Sequence, residues 1–223
     1  QLDQICAESV RLTHAYTPSL LNDAALASLL TGLYPAENGI HHNGPSLYSA
    51  GVTPITQLAL EKGIETVFVS GGVPALRKSG ISKGFNIFDD TIRSGGRFYR
   101  PATEVVRKFT TILESQVSGA SFLGVLFFAD TSFPQTDSGK AVAPSDRLEG
   151  AYLGKLQDID EAVGNLKRAM KSWNIWDQTT VIVVGLSGRE TGKHQNLVNG
   201  LSLYDDTVRV PLLIKPSRKH RDY

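Results

Sequence analysis

The sequence contains a single cysteine, Cys6, and a single methionine, Met170, in 223 residues. One thiol cannot form an internal disulfide or a cysteine-based zinc site, so neither a disulfide framework nor a zinc module explains the fold. Charge of one sign is also lacking. With 23 Lys and Arg against 22 Asp and Glu the net charge is +1, and no overall field points to nucleic acid or an anionic membrane as partner. The only local excess, the basic tail KPSRKHRD, reads as a solvated chain end. No apolar run approaches the roughly 18 residues of a membrane span, so no transmembrane segment is expected. The start QLDQICAESV lacks the basic and apolar regions of a signal peptide. The chain as given is expected to be soluble, and its compartment stays open because a mature exported protein also lacks its signal.

What is present is ordinary globular material, 41% hydrophobic and 20% charged, enough for one sizeable core. Leu2, Ile5 and Ser9-Val10 fit a helix ending near RLTHAYTP. Asn22 to Thr31 reads as a second helix closed by Gly32. TPITQLALEKG reads as a third, with Thr53 as its N-cap, Pro54 in the first turn and Gly63 after its end. IETVFVS is a short buried strand, a long helix spans about Pro101 to Gln116, and SFLGVLFFA is an almost uniformly apolar strand. The longest helical pattern repeats apolar residues at Leu156, Ile159, Val163, Leu166 and Met170. TTVIVVG and VRVPLLIKP read as further strands. Strands apolar on both faces and separated by helices predict an α/β fold, a mostly parallel sheet with helices on both faces. Loop-rich stretches fall near Phe88 to Arg100 and Thr131 to Arg147.

In such folds ligands sit beyond the carboxyl ends of the strands. Here those places are the start of the Asn22 helix, ADTSFP, and GLSGRETGKH. Along the chain, LDQICAESVRLTHAYTPSL, ASLLTGLYPAENGIHHNG, GVTPITQLALEKGIETVFVSGG, KGFNIFDD, YLGKLQDIDEAVGNL, TTVIVVG and LSLYDDTVRVPLLIKP resemble, in order, landmarks of the sulfatase family within the alkaline phosphatase superfamily. The resemblance covers essentially the whole chain. It implies hydrolysis of sulfate or phosphate esters by a Cys (as formylglycine), Ser or Thr at a helix N-terminus, with divalent metal held by Asp, His or Asn. It also places the family's first strand, which ends in two metal-binding Asp, ahead of Gln1, and a smaller C-terminal subdomain beyond Tyr223. Residues 1–223 are thus expected to be a single sulfatase-like domain, short at both ends.

Position by position, the resemblance finds the chemistry missing. The nucleophile falls on Asn22 and the basic residue four later on Leu26. Asn22 is expected to act as a helix N-cap. Asp23 belongs to the first turn, where a carboxylate favours the dipole by roughly 0.3–1 kcal/mol and would repel an arriving anion. The metal-binding Asp-His pair falls on Leu186 and Ser187, and the Lys or His before Gly200 falls on Asn199. Two further His positions fall on Leu126 and Thr131. Leu offers no donor atom, and a neutral hydroxyl is a weak ligand beside carboxylate or imidazole.

The remaining titratable residues are read mainly as structural. His41 and His42 sit in a surface loop, His14 packs or caps, and His194 keeps a family-like place without its companions. The two SGG turns lack the Lys of a phosphate loop, Asp205 and Asp206 make a solvated turn, and Asp158 and Asp160 face apart on a helix. The expectation is a catalytically inactive sulfatase-like domain without cofactor, serving as an interaction or scaffold module for a protein partner and not for nucleic acid. Its contacts are expected at Arg93, Arg97, Phe98 and Tyr99, residue types enriched at interfaces. Two alternatives stay open. One is a metal-dependent ester hydrolase with a displaced site at His41, His42 or His194, and the other is a noncovalent ligand binder, for instance of a glycan. The family resemblance favours periplasm or cell exterior.

Overall fold

The computed structural model describes residues 2–92, 99–117, 119–132, 145–188 and 203–218. Its centre is a parallel sheet of three strands in the order β3-β2-β4, comprising Ile87–Asp89, Glu65–Ser70 and Phe122–Phe127. β2 lies between the other two, in register Val67 to Ile87 and Val67 to Gly124. Its side chains alternate between faces. Phe68 joins one core cluster with Leu26, Leu30, Ile40 and Phe127, while Val67 and Val69 join another with Val105, Phe109 and Leu113. Two helices therefore cover the sheet from opposite sides. α2 is Asn22–Thr31 and α5 is Ala102–Gln116.

The α2 side is aromatic. Phe68 stacks on Phe88 with ring centroids 4.5 Å apart, and Phe85 meets Phe68 edge-on at 5.3 Å. On the α5 side, Gly124 of β4 lies against the Phe109 ring, where a Cβ would collide. The helix α6, Ser145–Ser172, packs on α5 and carries Val163 and Met170 into a third cluster with Ile5 and Trp176.

The α/β class and the parallel sheet agree with the sequence reading, and three details differ. First, the N-terminal helix α1 is only Leu2–Cys6, and Val10–Leu12 is a strand, β1. Second, β1 pairs antiparallel with β6, Leu212–Lys215, which pairs antiparallel with β5, Val181–Val184. A second, antiparallel sheet of order β1-β6-β5 thus stands beside the parallel one. Third, the helix α4 is Ile55–Glu61 with Pro54 at the cap position in place of Thr53. The remaining helices are short, α3 at Pro35–Asn38 and α7 at Asp205–Val208.

The antiparallel sheet is fixed by buried polar contacts. Lys215 is fully buried at the end of β6. Its Nζ donates to the carbonyls of Trp176 and Thr179 at 2.5 and 2.9 Å and lies 4.7 Å from the Trp176 ring centroid. The indole Nε1 donates to Glu8 at 3.0 Å, and Lys167 donates to the same carboxylate at 2.9 Å. These hydrogen bonds hold the Glu8 carboxyl below its ordinary range.

Candidate functional site

The start of α2 is where the sequence placed a lost nucleophile. Asn22 is the first helical residue there, and the cap position belongs to Leu21, which makes no side-chain cap bond. The expected Asn22 cap is replaced by a distant one. Asn43 Oδ1 accepts from the Asp23 backbone N–H at 3.0 Å, while the Gly44 N–H donates to Asp23 Oδ2 at 2.8 Å. This two-way clasp ties the loop from His41 to Tyr48 onto the helix. Two backbone bonds complete the attachment, from Ser46 N–H to the Lys78 carbonyl at 3.3 Å and from Ser49 N–H to the Asn38 carbonyl at 2.8 Å.

Asp23 is consequently fully buried, and its Oδ1 has no hydrogen-bond partner. Burial raises its pKa, an effect reduced by the Gly44 bond and by nearby Ser79 and His42. The carboxyl thus faces the protein interior, not an arriving anion, which corrects the expectation of a repelling charge at this helix end. His41 and His42 are exposed on the clasped loop, as read from the sequence. His14 is exposed too, its Nδ1 3.0 Å from the Thr13 hydroxyl, and it does not pack in the core.

Leu26 lies one turn into α2 at 2% exposure, within the cluster around Phe68. Leu186, just after β5, packs against the same cluster, and its carbonyl accepts from the Thr17 hydroxyl at 2.6 Å. Ser187 is half-buried beside it. Leu126 packs against the α5 side, and Thr131 sits in a short 3-10 turn after β4. Asn199 and His194 fall outside the described residues. Among those described, no group of three or more His, Cys, Asp or Glu is arranged to hold a metal ion. The donors that the family's divalent metal would require are not brought together among the described residues.

The carboxyl ends of the parallel strands carry a charged group that the sequence reading passed over. Arg100 is 8% exposed and donates to Asp89 at 2.5 Å and to the Thr91 carbonyl, while Lys108 reaches the other Asp89 oxygen at 3.0 Å. Burial pushes the Asp89 pKa up, but the bonds from Arg100 and Lys108 outweigh it and the net shift is downward. Asp130, fully buried after β4, accepts the Ala102 N–H at 3.0 Å and so caps α5. Its other oxygen has no partner, and burial raises its pKa. The sequence had marked ADTSFP, which contains Asp130, as a place for ligands, but nothing in it pointed to the Asp89–Arg100 pair.

Of the proposed contact residues, Arg93, Arg97 and Phe98 fall outside the described residues. Tyr99 is 9% exposed within the α2-side cluster, bridges to Gly72, and has Lys155 Nζ 5.9 Å from its ring centroid. It offers little surface to a partner. Asp205 and Asp206 open the short helix α7 in place of the expected solvated turn, with both Asp206 carboxylate oxygens buried. An open groove of about 390 Å³ runs along β1 and β6 between Arg11, Thr13, Asp206 and Arg209. It includes none of the positions at α2 or after β5.

The geometry has known counterparts. One is the phosphonate monoester hydrolase of Agrobacterium radiobacter, with a TM-score of 0.75 at 17% identity over 98% of this chain and 63% of that one. A 2-O GAG sulfatase gives 0.75 at 14%, over 95% and 57%. A protein solved with its substrate D-glucosamine-2-N,6-O-disulfate gives 0.70 at 15%, over 98% and 66%. The chain spans less than two thirds of the length of each, and at these identities the likeness is one of fold. Among curated proteins no relative is matched by sequence. The sequence matches the Sulfatase family over residues 1–222. The chain therefore belongs to the sulfatase family of the alkaline phosphatase superfamily.

Proposed function

We propose that this is a catalytically inactive sulfatase-like domain that serves as a protein-interaction or scaffold module. The observation that carries the reading is Leu26. Where the family resemblance calls for a basic anion partner, this chain places a leucine inside the core, and Leu186 packs on the same cluster where a metal ligand would be needed. Both positions serve packing in this chain. A fold can persist as an interaction surface after its chemistry is gone. The contact region proposed is Arg93, Arg97, Phe98 and Tyr99, of which Tyr99, 9% exposed, can offer a partner only a small part of its ring.

A second reading, a metal-dependent hydrolase with a displaced site, draws on one observation. The Asn43–Asp23 clasp holds His41 and His42 on a loop tied to the α2 N-terminus. The test is elemental analysis after dialysis against zinc, calcium and magnesium, with aryl sulfate and aryl phosphate turnover assayed on the same sample. The inactive reading expects under about a tenth of a metal per chain and no turnover. Near-stoichiometric metal, with turnover abolished by His41→Ala or His42→Ala, would replace it with the second.

A further inference from the structure

An asparagine followed by glycine is open to attack from within, because the glycine nitrogen, with no Cβ beside it, can approach the side-chain amide carbon. The sequence has three such pairs, Asn38-Gly39, Asn43-Gly44 and Asn199-Gly200. The last lies outside the described residues, and the other two are held in opposite ways. Asn38 is fully buried, and its amide is locked by bonds to Ser28 Oγ at 3.3 Å, the Leu33 carbonyl at 3.1 Å and the Ile40 N–H at 2.9 Å. The Gly39 N–H donates to the Pro35 carbonyl at 3.0 Å, a group too weakly basic to take its proton, and Gly39 is packed against Ser49.

Asn43 stands exposed, and Gly44 has open space beside its α-carbon and a φ of 109°. Both groups that would react are engaged by a single residue, Asp23. Its carboxylate Oδ2 accepts the Gly44 N–H at 2.8 Å, within the reach of a general base. Its backbone N–H, in the first turn of α2, donates to Asn43 Oδ1 at 3.0 Å, where negative charge gathers during attack on the amide. Burial raises the Asp23 pKa and so makes its carboxylate a stronger base. Asn38-Gly39 has neither contact.

We propose that Asn43-Gly44 is a self-modification site, at which Asp23 drives closure of the Asn43 side chain onto the Gly44 nitrogen. The Gly44 N–H bond breaks and its proton passes to Asp23 Oδ2, while the nitrogen bonds to Asn43 Cγ and the carbonyl π pair moves onto Oδ1. As the Cγ–Nδ2 bond then breaks, the proton returns to Nδ2 and ammonia leaves, which gives a five-membered imide. Water, which reaches the exposed loop, opens the imide to aspartate or isoaspartate. Nothing is oxidised or reduced. The product sets a second carboxylate against that of Asp23, and the isoaspartate form also lengthens the backbone, so the clasp on α2 is released in one direction only. This inference does not depend on whether the domain is catalytic.

The test is peptide mapping by mass spectrometry of the folded protein held near neutral pH, with isoaspartate resolved from aspartate, beside the same chain held in urea. Unfolding separates Asp23 from Gly44, so in urea Asn38 and Asn43 are expected to be lost at similar rates. In the folded protein Asn43 is expected to be lost at least about tenfold faster than in urea, while Asn38 persists. Asp23→Asn, which keeps an acceptor but no base, is expected to slow the loss of Asn43 in the folded protein by about tenfold or more. A folded rate at Asn43 equal to or below the urea rate would overturn the proposal, because the clasp would then protect the pair. So would a rate in folded Asp23→Asn that matches or exceeds the parent's, since the carboxylate would then have no part in the reaction. The comparison with urea needs no variant and stands even where Asp23→Asn fails to fold.

Discussion

α2 and α5 cover opposite faces of the same parallel sheet, and each has a fully buried aspartate at its N-terminal end. The two aspartates do different jobs. Asp130 comes from the end of β4 and caps α5 from outside by accepting the Ala102 N–H. Asp23 belongs to α2 itself, gives its N–H to Asn43 and accepts from Gly44. At α5 the carboxylate is the cap, whereas at α2 it is one half of a clasp whose cap is an amide twenty residues away. The lesson is that the α2 N-terminus, the family's place for chemistry, is engaged internally by a loop, and its next turn by the core.

The largest expected effect breaks that last statement if it is wrong. Leu26→Ala is expected to cost about 2–5 kcal/mol, as for other buried leucines. Leu26→Arg, which restores the family's basic residue, is expected to cost more, because the guanidinium would be buried without a partner. Urea denaturation checks both. An unchanged midpoint in the Leu26→Arg variant would mean that the side chain reaches an open site, and the inactive reading would lose its main support. Next in size is Asp130→Ala, at about 1–3 kcal/mol for the stranded Ala102 donor. Asp130→Asn keeps the acceptor and is expected to cost far less. Equal losses from both would show that the carboxyl, not the cap, matters at α5.

How much of this was legible follows from the range of each interaction. β2 and β4 were readable because short, predominantly apolar runs of strand length report their own burial, and α5 because Val105, Phe109, Ile112 and Leu113 recur at helical spacing. β1 was hidden, since three exposed residues form a strand only through pairing with β6 at the far end of the chain. Asn22 misled because a local capping rule is satisfied by its residue type, while the acceptor actually used comes from Asn43. The resemblance aligned Leu26 with a basic residue and Leu186 with a metal ligand, but it could not show that the two leucines meet in one cluster, which tertiary packing sets. Asp130 and Ala102 are 28 residues apart and carry no local signature at all.

Asn43→Ala probes the α2 clasp by removing an acceptor contributed from outside the helix. The expected cost is about 0.5–2 kcal/mol, the usual range for a lost cap, with the midpoint of urea unfolding as readout. The His41–Tyr48 loop should loosen at the same time, seen as faster amide exchange at Gly44, whose acceptor Asp23 would no longer be held by the returning bond. Unchanged exchange at Gly44 would mean that the Ser46 and Ser49 backbone bonds fix the loop on their own.

The smallest effect separates the buried aspartates from the paired acids by the sign of their pH dependence. Asp23 and Asp130 have pKa values raised by burial above the ordinary 3.8. The folded state therefore holds their protons more tightly than the unfolded chain, so their contribution is complete below the ordinary value and is lost as pH rises through the folded one. Asp89 and Glu8 are shifted downward, and their contribution is present above the ordinary value and lost as pH falls through the folded one. Urea midpoints between about pH 4 and 8 should accordingly show a shallower decline toward neutral pH in Asp23→Asn than in the parent protein, because an amide cannot ionise. Glu8→Gln should instead flatten the loss on the acid side, where the Lys167 and Trp176 bonds to Glu8 are undone by protonation. An Asp23→Asn curve parallel to the parent's throughout would place the Asp23 carboxyl in contact with solvent, and the clasp would then be an open site and not a sealed one.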